Sequence, residues 1–323
     1  VITLDCGIKA TEKIQYARTK GLDIIICDHH YPGDDIPKAL AVLDPKQPGC
    51  SYPYKELSGC GVGFKLVHAY SKIHSIPFSS IIHYLDLVAV SIASDIVPIT
   101  GENRVLAYYG LKQLNDSPRT GLREIIREAE ITRALTVEDV VFKIGPRINA
   151  AGRMEAGSKA VELLISNDQK LATGISKEIN NFNIERRSVD RVITNEAMRM
   201  ISEDQRTSNA KTTVLFNPSW KKGVIGIVAS RLIETYYRPT VILTESNGFA
   251  TGSARSVQGY DLYQAIEACS DLLESFGGHM FAAGLTLKKE NIQPFIERFE
   301  QYVNSTITED QMQPRIFIDT ELS

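Results

Sequence analysis

"IIICDHHYPGDD", residues Ile24 to Asp35, decides how this chain is read. A run of apolar β-branched residues ends in Asp28, His29 and His30 and then meets a proline-glycine turn. Neighbouring side chains on a strand point to opposite faces. A strand alone therefore cannot aim both imidazoles at one ligand, so the turn around Tyr31-Pro32-Gly33 has to begin before them. A carboxylate and two imidazoles delivered together at a strand end point to a metal or phosphate site.

Working outward, "VITLD", "LDIIIC" and "ALAVLDP" read as strands, while "TEKIQYARTKG", "GVGFKLVHAYSKI" and "IIHYLDLVAVSIASDIVP" read as helices. Strands interleaved with helices predict an α/β fold with a parallel sheet and crossover helices. Ligands of such sheets gather at the carboxyl ends of the strands. Asp5 and the Asp28-His29-His30 group both stand at such ends and are expected to face one crevice. Asp95 lies near the end of the third helix, in "SIASDIVP". Cys6 and Cys27 flank these ligands and read as small strand residues facing the core.

Residues 100–165 read mostly as helix, interrupted by "KIGPRINAAGRMEAGS". From Leu171 to Ile201 the apolar positions Ile175, Ile179, Phe182, Val189, Ile193, Ala197 and Ile201 predict one long amphipathic helix bridging two domains. "TTVLFNPSW", "VIGIVASRLIETY", "RPTVILTE" and "GFATGSARS" begin a second strand-helix-strand module. "GYDLYQAIEACSDLLESFGGHMFAAGLTL" completes it with a helix, a glycine turn and a strand. No internal repeat is visible. The chain opens within a strand, without an initiator Met, and closes on "RIFIDTELS", another strand beginning, as expected for a piece of a longer protein.

The chain has 323 residues, of which 43% are hydrophobic and 23% charged, which suits two globular domains and excludes a disordered chain. Apolar runs are too short and too polar for a membrane helix, and no leader segment is seen at the amino end. Five cysteines with no CxxC pair argue against a disulfide framework or a zinc ribbon and favour a reducing, cytoplasmic setting. A net charge of −3 shows no nucleic-acid partner in the totals, so any such partner needs a local basic groove.

Carboxylates and imidazoles together suit Mn²⁺, with Mg²⁺ favouring the oxygen donors. Two such ions a few Å apart activate water and steady the leaving oxygen in phosphoester hydrolysis. His68, His74 and His83 have no partner motif and read as surface or satisfied core residues. "SGCGVGFKL" matches neither dinucleotide nor P-loop glycine patterns and reads as glycines that let a helix start close to a strand. "GPRINAAGR" sets Arg147, Asn149 and Arg153 around a small-residue turn suited to gripping a phosphate. "GSARS", with Ser253, Arg255 and Ser256, repeats the theme. In "FGGHMFAAG", Gly277 and Gly278 let backbone approach a ligand beside His279. The set predicts a cleft with metals on one wall and anion donors on the other.

"VITLDCG", "CDHH", "SIASDIVP" and "FGGH" stand in an order that resembles the DHH phosphoesterase superfamily. "GENRVLAYYGL", "GPRINAAGR", "WKKGVIGIVASRL" and "GSARS" followed by "QGYDL" narrow the resemblance to its exonucleases of single-stranded DNA. It covers essentially the whole chain. The resemblance implies a DHH domain over 1–168, a connecting helix over 169–208, a DHH-associated domain over 209–305 and the start of an oligonucleotide-binding domain over 306–323. It implies metal ligation by Asp5, His29 and Asp95, with Asp28 and His30 supporting the metals or the scissile phosphate. Arg147, Asn149, Arg153, Ser253, Arg255, Ser256, Gly277, Gly278 and His279 would hold the DNA. Stepwise 5′-to-3′ hydrolysis, a monomer, and helicase and single-strand-binding partners follow from the same resemblance. The family's first Asp-rich strand end precedes "DCG" and lies outside this chain, so two ligands are expected to be missing and the chain alone weak or inactive. The rival expectations are a DHH phosphodiesterase of oligonucleotides or cyclic dinucleotides, and a non-catalytic replisome scaffold.

Overall fold

The computed structural model describes residues 1–155, 157–316 and 318. Two compact units divide the chain: Val1–Gly152 with Ala156–Asn183, and Arg153–Glu155 with Ile184–Ser323.

In the first unit, β1 (Ile2–Leu4), β2 (Ile25–Cys27) and β3 (Ala41–Leu43) form a parallel sheet in that order, with Leu4 opposite Cys27 and Cys27 opposite Leu43. The three strands therefore end level with one another, and the residues that follow them emerge along one edge. α1 (Thr11–Thr19) makes the crossover from β1 to β2. The unit continues with α2 (Gly59–Ile73), α3 (Leu85–Ser94), α4 (Gly101–Asp116), α5 (Thr120–Glu128), α6 (Val137–Asp139), α7 (Gly145–Met154) and α8 (Ser158–Ile165). Cys27, Leu57, Val62, Leu85, Val88 and Ile92 join β2, α2 and α3 in one core. "GPRINAAGR", read as a turn, is helical: a π-helical turn over Val140–Ile144 runs straight into α7. Ala150 and Ala151 are good helix formers that bury completely.

α9 (Gln169–Glu203) is one helix of 35 residues, roughly 50 Å long at 1.5 Å per residue. Its stripe divides between two cores. Ile175 and Ile179 bury in the first unit, and Ile193, Ala197 and Ile201 in the second.

The second unit continues with α10 (Gln205–Asn209), β4 (Thr213–Phe216), α11 (Ile225–Tyr236), β5 (Thr240–Ser246), β6 (Phe249–Arg255), α12 (Leu262–Glu267), β7 (Leu273–His279), β8 (Ala282–Leu287) and α13 (Ile292–Thr306). The sheet order is β4-β5-β6-β8-β7, parallel for β4 and β5 and antiparallel beyond. Val241, Leu243, Ala254 and Leu285 pack on α12 and α13 on one face. Leu215 and Ile242 pack on α11 and the end of α9 on the other.

The glycine turn expected at "FGGH" is instead part of β7. Glycine weakens the strand signal, yet here it is required. A Cβ at Gly278 would lie 2.3 Å from the Ala282 carbonyl oxygen, so only glycine lets β7 pair this closely with β8. "GSARS" runs along β6 as far as Arg255, with Ser256 just beyond the strand. Cys27 is buried as expected, but Cys6 is exposed. Ile2 and Leu4, which precede Cys6 on the same side of β1, are exposed as well, so this face of the edge strand is not covered by the core. The strand expected in "RIFIDTELS" lies largely outside the described residues. Among the described residues, no helix is long and apolar enough to cross a membrane.

Candidate functional site

β2 stops at Cys27, so the chain has already left the strand when it reaches the two histidines. Asp28 organises the turn. Its buried carboxylate accepts hydrogen bonds from the backbone N–H of Ile8 (3.0 Å), His29 (2.8 Å) and His30 (3.3 Å), and its Oδ1 lies 2.7 Å from His30 Nδ1. Burial pushes the Asp28 pKa up, but the bonds from Ile8, His30 and His29 outweigh it and hold it below its ordinary value. Asp28 thus fixes the backbone of both histidines and orients the His30 imidazole.

His29 is the centre of the group. Its Nε2 lies 3.1 Å from Asp5 Oδ1 and 3.1 Å from Asp95 Oδ2. Neither contact has hydrogen-bond alignment, and both ring nitrogens are buried without a hydrogen-bond partner. Burial draws the His29 pKa down, but the two carboxylates overcome it and raise it to about 10. Asp95 is held low chiefly by the adjacent His29 imidazole. Ligand atoms of Asp5, His29 and His30 all lie within 4.8 Å of one another. Two carboxylates converging on one buried imidazole nitrogen fit a divalent cation better than a proton, since one N–H cannot point at both oxygens. His30, set by Asp28 through Nδ1, keeps Nε2 for a further ligand, the usual arrangement of a metal-site histidine.

One residue of the cluster and one neighbour of another sit on left-handed backbone. Asp5 has a φ of 62°, and Ile96, directly after Asp95, a φ of 55°. Left-handed backbone is costly for a β-branched residue, on the order of 1–2 kcal/mol. Ile96→Asn is expected to stabilise the chain by about 1 kcal/mol, read as a rise in Tm, because Asn tolerates this conformation and the Ile96 side chain is exposed.

Sequence reading missed several supports. Asn103 is fully buried and donates to the Pro98 carbonyl at 3.0 Å, and the Tyr54 hydroxyl donates to the same oxygen at 3.0 Å. Together they pin the loop that carries Asp95. Asp44, at the end of β3, is buried with Oδ2 unpartnered, and burial raises its pKa. Its signal, an acid closing an apolar run, was the same one that marked Asp5. Gly59 opens α2 against Asp5: a Cβ there would lie 2.2 Å from Asp5 Oδ1. Gly59→Ala is expected to leave the fold intact, since alanine favours helix by about 1 kcal/mol, yet to displace Asp5 and weaken metal binding at least roughly tenfold. Calorimetric titration of the variant measures this.

Most of the anion-donor residues fall in the second unit. Arg255 pairs with Ala282 on β8, and Ala282 pairs with His279 on β7. Ser253 pairs with Gly284, and Gly284 with Gly277. In-register residues share a face, so Ser253 and Arg255 flank a floor of Ala282, Gly284 and Gly277, with His279 beyond it. Arg255 donates to Ser253 Oγ at 3.1 Å. Arg153 is close enough to lower the Arg255 pKa, second to burial. Arg153 itself donates to the Gly223 carbonyl at 3.1 Å. Neither arginine forms an ion pair with a carboxylate among the described residues. The first turn of α11 lies against the pair, where a Gly226 Cβ would come 2.9 Å from Ser253 Oγ. Two guanidinium groups, a hydroxyl and a helix amino end have the chemistry to hold an anion.

The remaining residues are placed differently. Arg147 is engaged inside the first unit, donating to Asn180 Oδ1 at 3.0 Å and to the Lys143 carbonyl at 2.8 Å. Asn149 is exposed on α7. Ser256 gives its hydroxyl to the Tyr260 carbonyl at 2.7 Å.

The DHH family, N-terminal domain, matches residues 1–92, and the DHHA1 domain matches residues 209–305. The single-stranded-DNA-specific exonuclease RecJ of Bacillus subtilis (strain 168) is 41% identical over 97% of this chain, which spans 39% of that protein. The crystal structure of exonuclease RecJ bound to manganese superposes with a TM-score of 0.79 and 30% identity, covering 95% of this chain and 76% of that one. The chain belongs to the RecJ family. RecJ from Thermus thermophilus in complex with Mn²⁺ superposes with a TM-score of 0.85 and 31% identity, over 95% of this chain and 45% of that chain. This RecJ-family chain thus has the expected α/β architecture, and it spans well under two thirds of the B. subtilis relative.

Proposed function

We propose that the protein to which this chain belongs is a metal-dependent 5′-to-3′ exonuclease of single-stranded DNA. The observation that carries the reading is the convergence of Asp5 and Asp95 on the buried His29 nitrogen at the carboxyl edge of a parallel sheet. Asp5, His29 and Asp95, with His30 beside them, are the residues proposed to hold Mn²⁺ or Mg²⁺, the ions found in solved RecJ structures. Bound there, divalent ions supply Lewis-acid activation of water and charge neutralisation at the scissile phosphate. The protein's part is to orient. Asp28 locks His29 and His30, and Asn103 and Tyr54 hold the Asp95 loop.

In the second unit, Arg153, Ser253 and Arg255 are proposed to grip backbone phosphate, including the 5′ phosphate that sets polarity, with Gly277, Gly278 and His279 bordering the strand. Arg147, Asn149 and Ser256 are assigned supporting contacts. The proposed organisation is a DHH domain over 1–168, a connecting helix over 169–208, a DHH-associated domain over 209–305 and a further domain entered at 306–323. A monomeric cytoplasmic enzyme working with a helicase and a single-strand-binding protein completes the reading.

The test is degradation of single- and double-stranded DNA labelled at either end, with Mn²⁺, by the full-length protein and by this chain. Stepwise loss of 5′ nucleotides from single strands alone is the expected result. Cleavage confined to oligomers a few units long would replace it with a small-substrate DHH phosphodiesterase. DNA binding without cleavage under any metal would favour a scaffold.

A further inference from the structure

β3 delivers a third set of residues to the edge that carries the ligand cluster. Directly after Asp44, Lys46 turns back, and its backbone N–H donates to Asp44 Oδ1 at 2.8 Å. The Lys46 side chain is only 12% exposed and meets Glu56 at 3.3 Å. Its charge reaches the ligand cluster, where it helps to lower the Asp95 pKa. Its ammonium lies 4.9 Å from the centre of the Tyr31 ring. Tyr31 follows His30 immediately and is 68% exposed. Lys46, Tyr31, Gln47, Lys55 and Glu56 line a cavity of about 430 Å³. Lys55 is held on its wall by donating to the Cys50 carbonyl at 2.7 Å.

An exposed aromatic ring beside two lysines, next to a metal-ligand cluster, has the chemistry of a nucleotide site: a π-face for a base and cations for a phosphate. The cavity volume lies within the range of small-molecule pockets. Glu56, the more exposed member of the pair, can turn to solvent when a phosphate takes its place on Lys46.

We propose that this cavity is a nucleotide subsite adjoining the ligand cluster, in which Lys46 contacts a phosphate oxygen and the Tyr31 ring carries the neighbouring base. The inference deepens the nuclease reading and rests on it for the identity of the ligand. It adds two specificity residues, Lys46 and Tyr31, on the first unit.

The experiment is calorimetric titration of dAMP, deoxyadenosine and inorganic phosphate into this chain. It is done in an Arg255→Ala background so that the second unit's anion site does not contribute. Lys46→Met is expected to weaken dAMP and phosphate roughly tenfold and leave deoxyadenosine unchanged. Tyr31→Leu is expected to weaken dAMP and deoxyadenosine roughly tenfold, while Tyr31→Phe retains both. Affinities that stay within about twofold in every variant, or no dAMP binding at millimolar concentration, overturn the subsite. Strand degradation is scored separately, on the full-length protein. The titration pattern without degradation supports the subsite and removes the exonuclease reading. Degradation with an unchanged titration removes the subsite alone.

Discussion

His29→Ala is expected to lower the affinity of the first unit for Mn²⁺ by at least about a hundredfold and to abolish strand hydrolysis by the full-length protein. His29 Nε2 lies 3.1 Å from both Asp5 and Asp95, so its removal takes away the partner the two carboxylates share. The same geometry fixes a pH dependence. Without metal, the carboxylates hold the His29 pKa up at about 10 against the opposing effect of burial, so a proton occupies Nε2 at neutral pH. A cation has to displace that proton, so apparent metal affinity rises with pH and binding at pH 7–8 releases about one proton. Calorimetry in buffers of different ionisation enthalpy measures the release. The linked stability has the opposite sign. A folded-state pKa raised above the unfolded value of about 6.5 gives a contribution fully present below that value and lost as pH rises through about 10. Metal-free protein should therefore lose stability across that window, and His29→Ala should not show this loss. A Tm that stays flat in the parent chain would refute the pairing.

Arg255→Ala is expected to weaken binding of 5′-phosphorylated single strands roughly tenfold to thirtyfold and to remove the preference over 5′-hydroxyl strands. The guanidinium is half-buried, hydrogen-bonded to Ser253 and its own neighbour Ala254, and accompanied by Arg153 with no carboxylate paired to either among the described residues. Like charges held together in this way are stabilised by an incoming anion. Each lost phosphate contact should also reduce the salt dependence of binding by about 0.7 in log–log slope. Arg255→Lys should rescue poorly, because a point charge lacks the planar fork. The fold should survive both changes, since the bonds Arg255 makes are local to β6. Fluorescence anisotropy across a salt series, with thermal unfolding as control, decides it. An unchanged 5′-phosphate preference would move that role away from β6.

Much of the first unit was legible because its signals are local. Apolar runs closing in Asp5 and in Asp28-His29-His30 show strand ends, and parallel strands with level registers place those ends on one edge. The requirement that a turn precede the histidines also follows from strand geometry alone. Local signals failed where neighbours decide the conformation. "GPRINAAGR" has the glycines and proline of a turn, yet its alanines bury against the helical core and hold it in α7. "FGGH" has the composition of a turn, yet β8 closes on it so tightly that glycine is what a strand requires there. Cys6 shares its side of β1 with Ile2 and Leu4, and all three are exposed because nothing covers that face of the edge strand among the described residues.

The sequence by itself determined the element types over the long periodic stretches, the ligand chemistry at the strand ends and the stripe of α9, because periodicity and residue type are properties of a short segment. Only the tertiary structure decided that Asp95 meets His29, that Gly59 makes room for Asp5, that Asn103 and Tyr54 hold the Asp95 loop, and that Arg255, Ala282 and His279 line up across three strands. These relations join residues far apart in the chain. They depend on distances of a few Å set by packing and register, and no local pattern of residues records those.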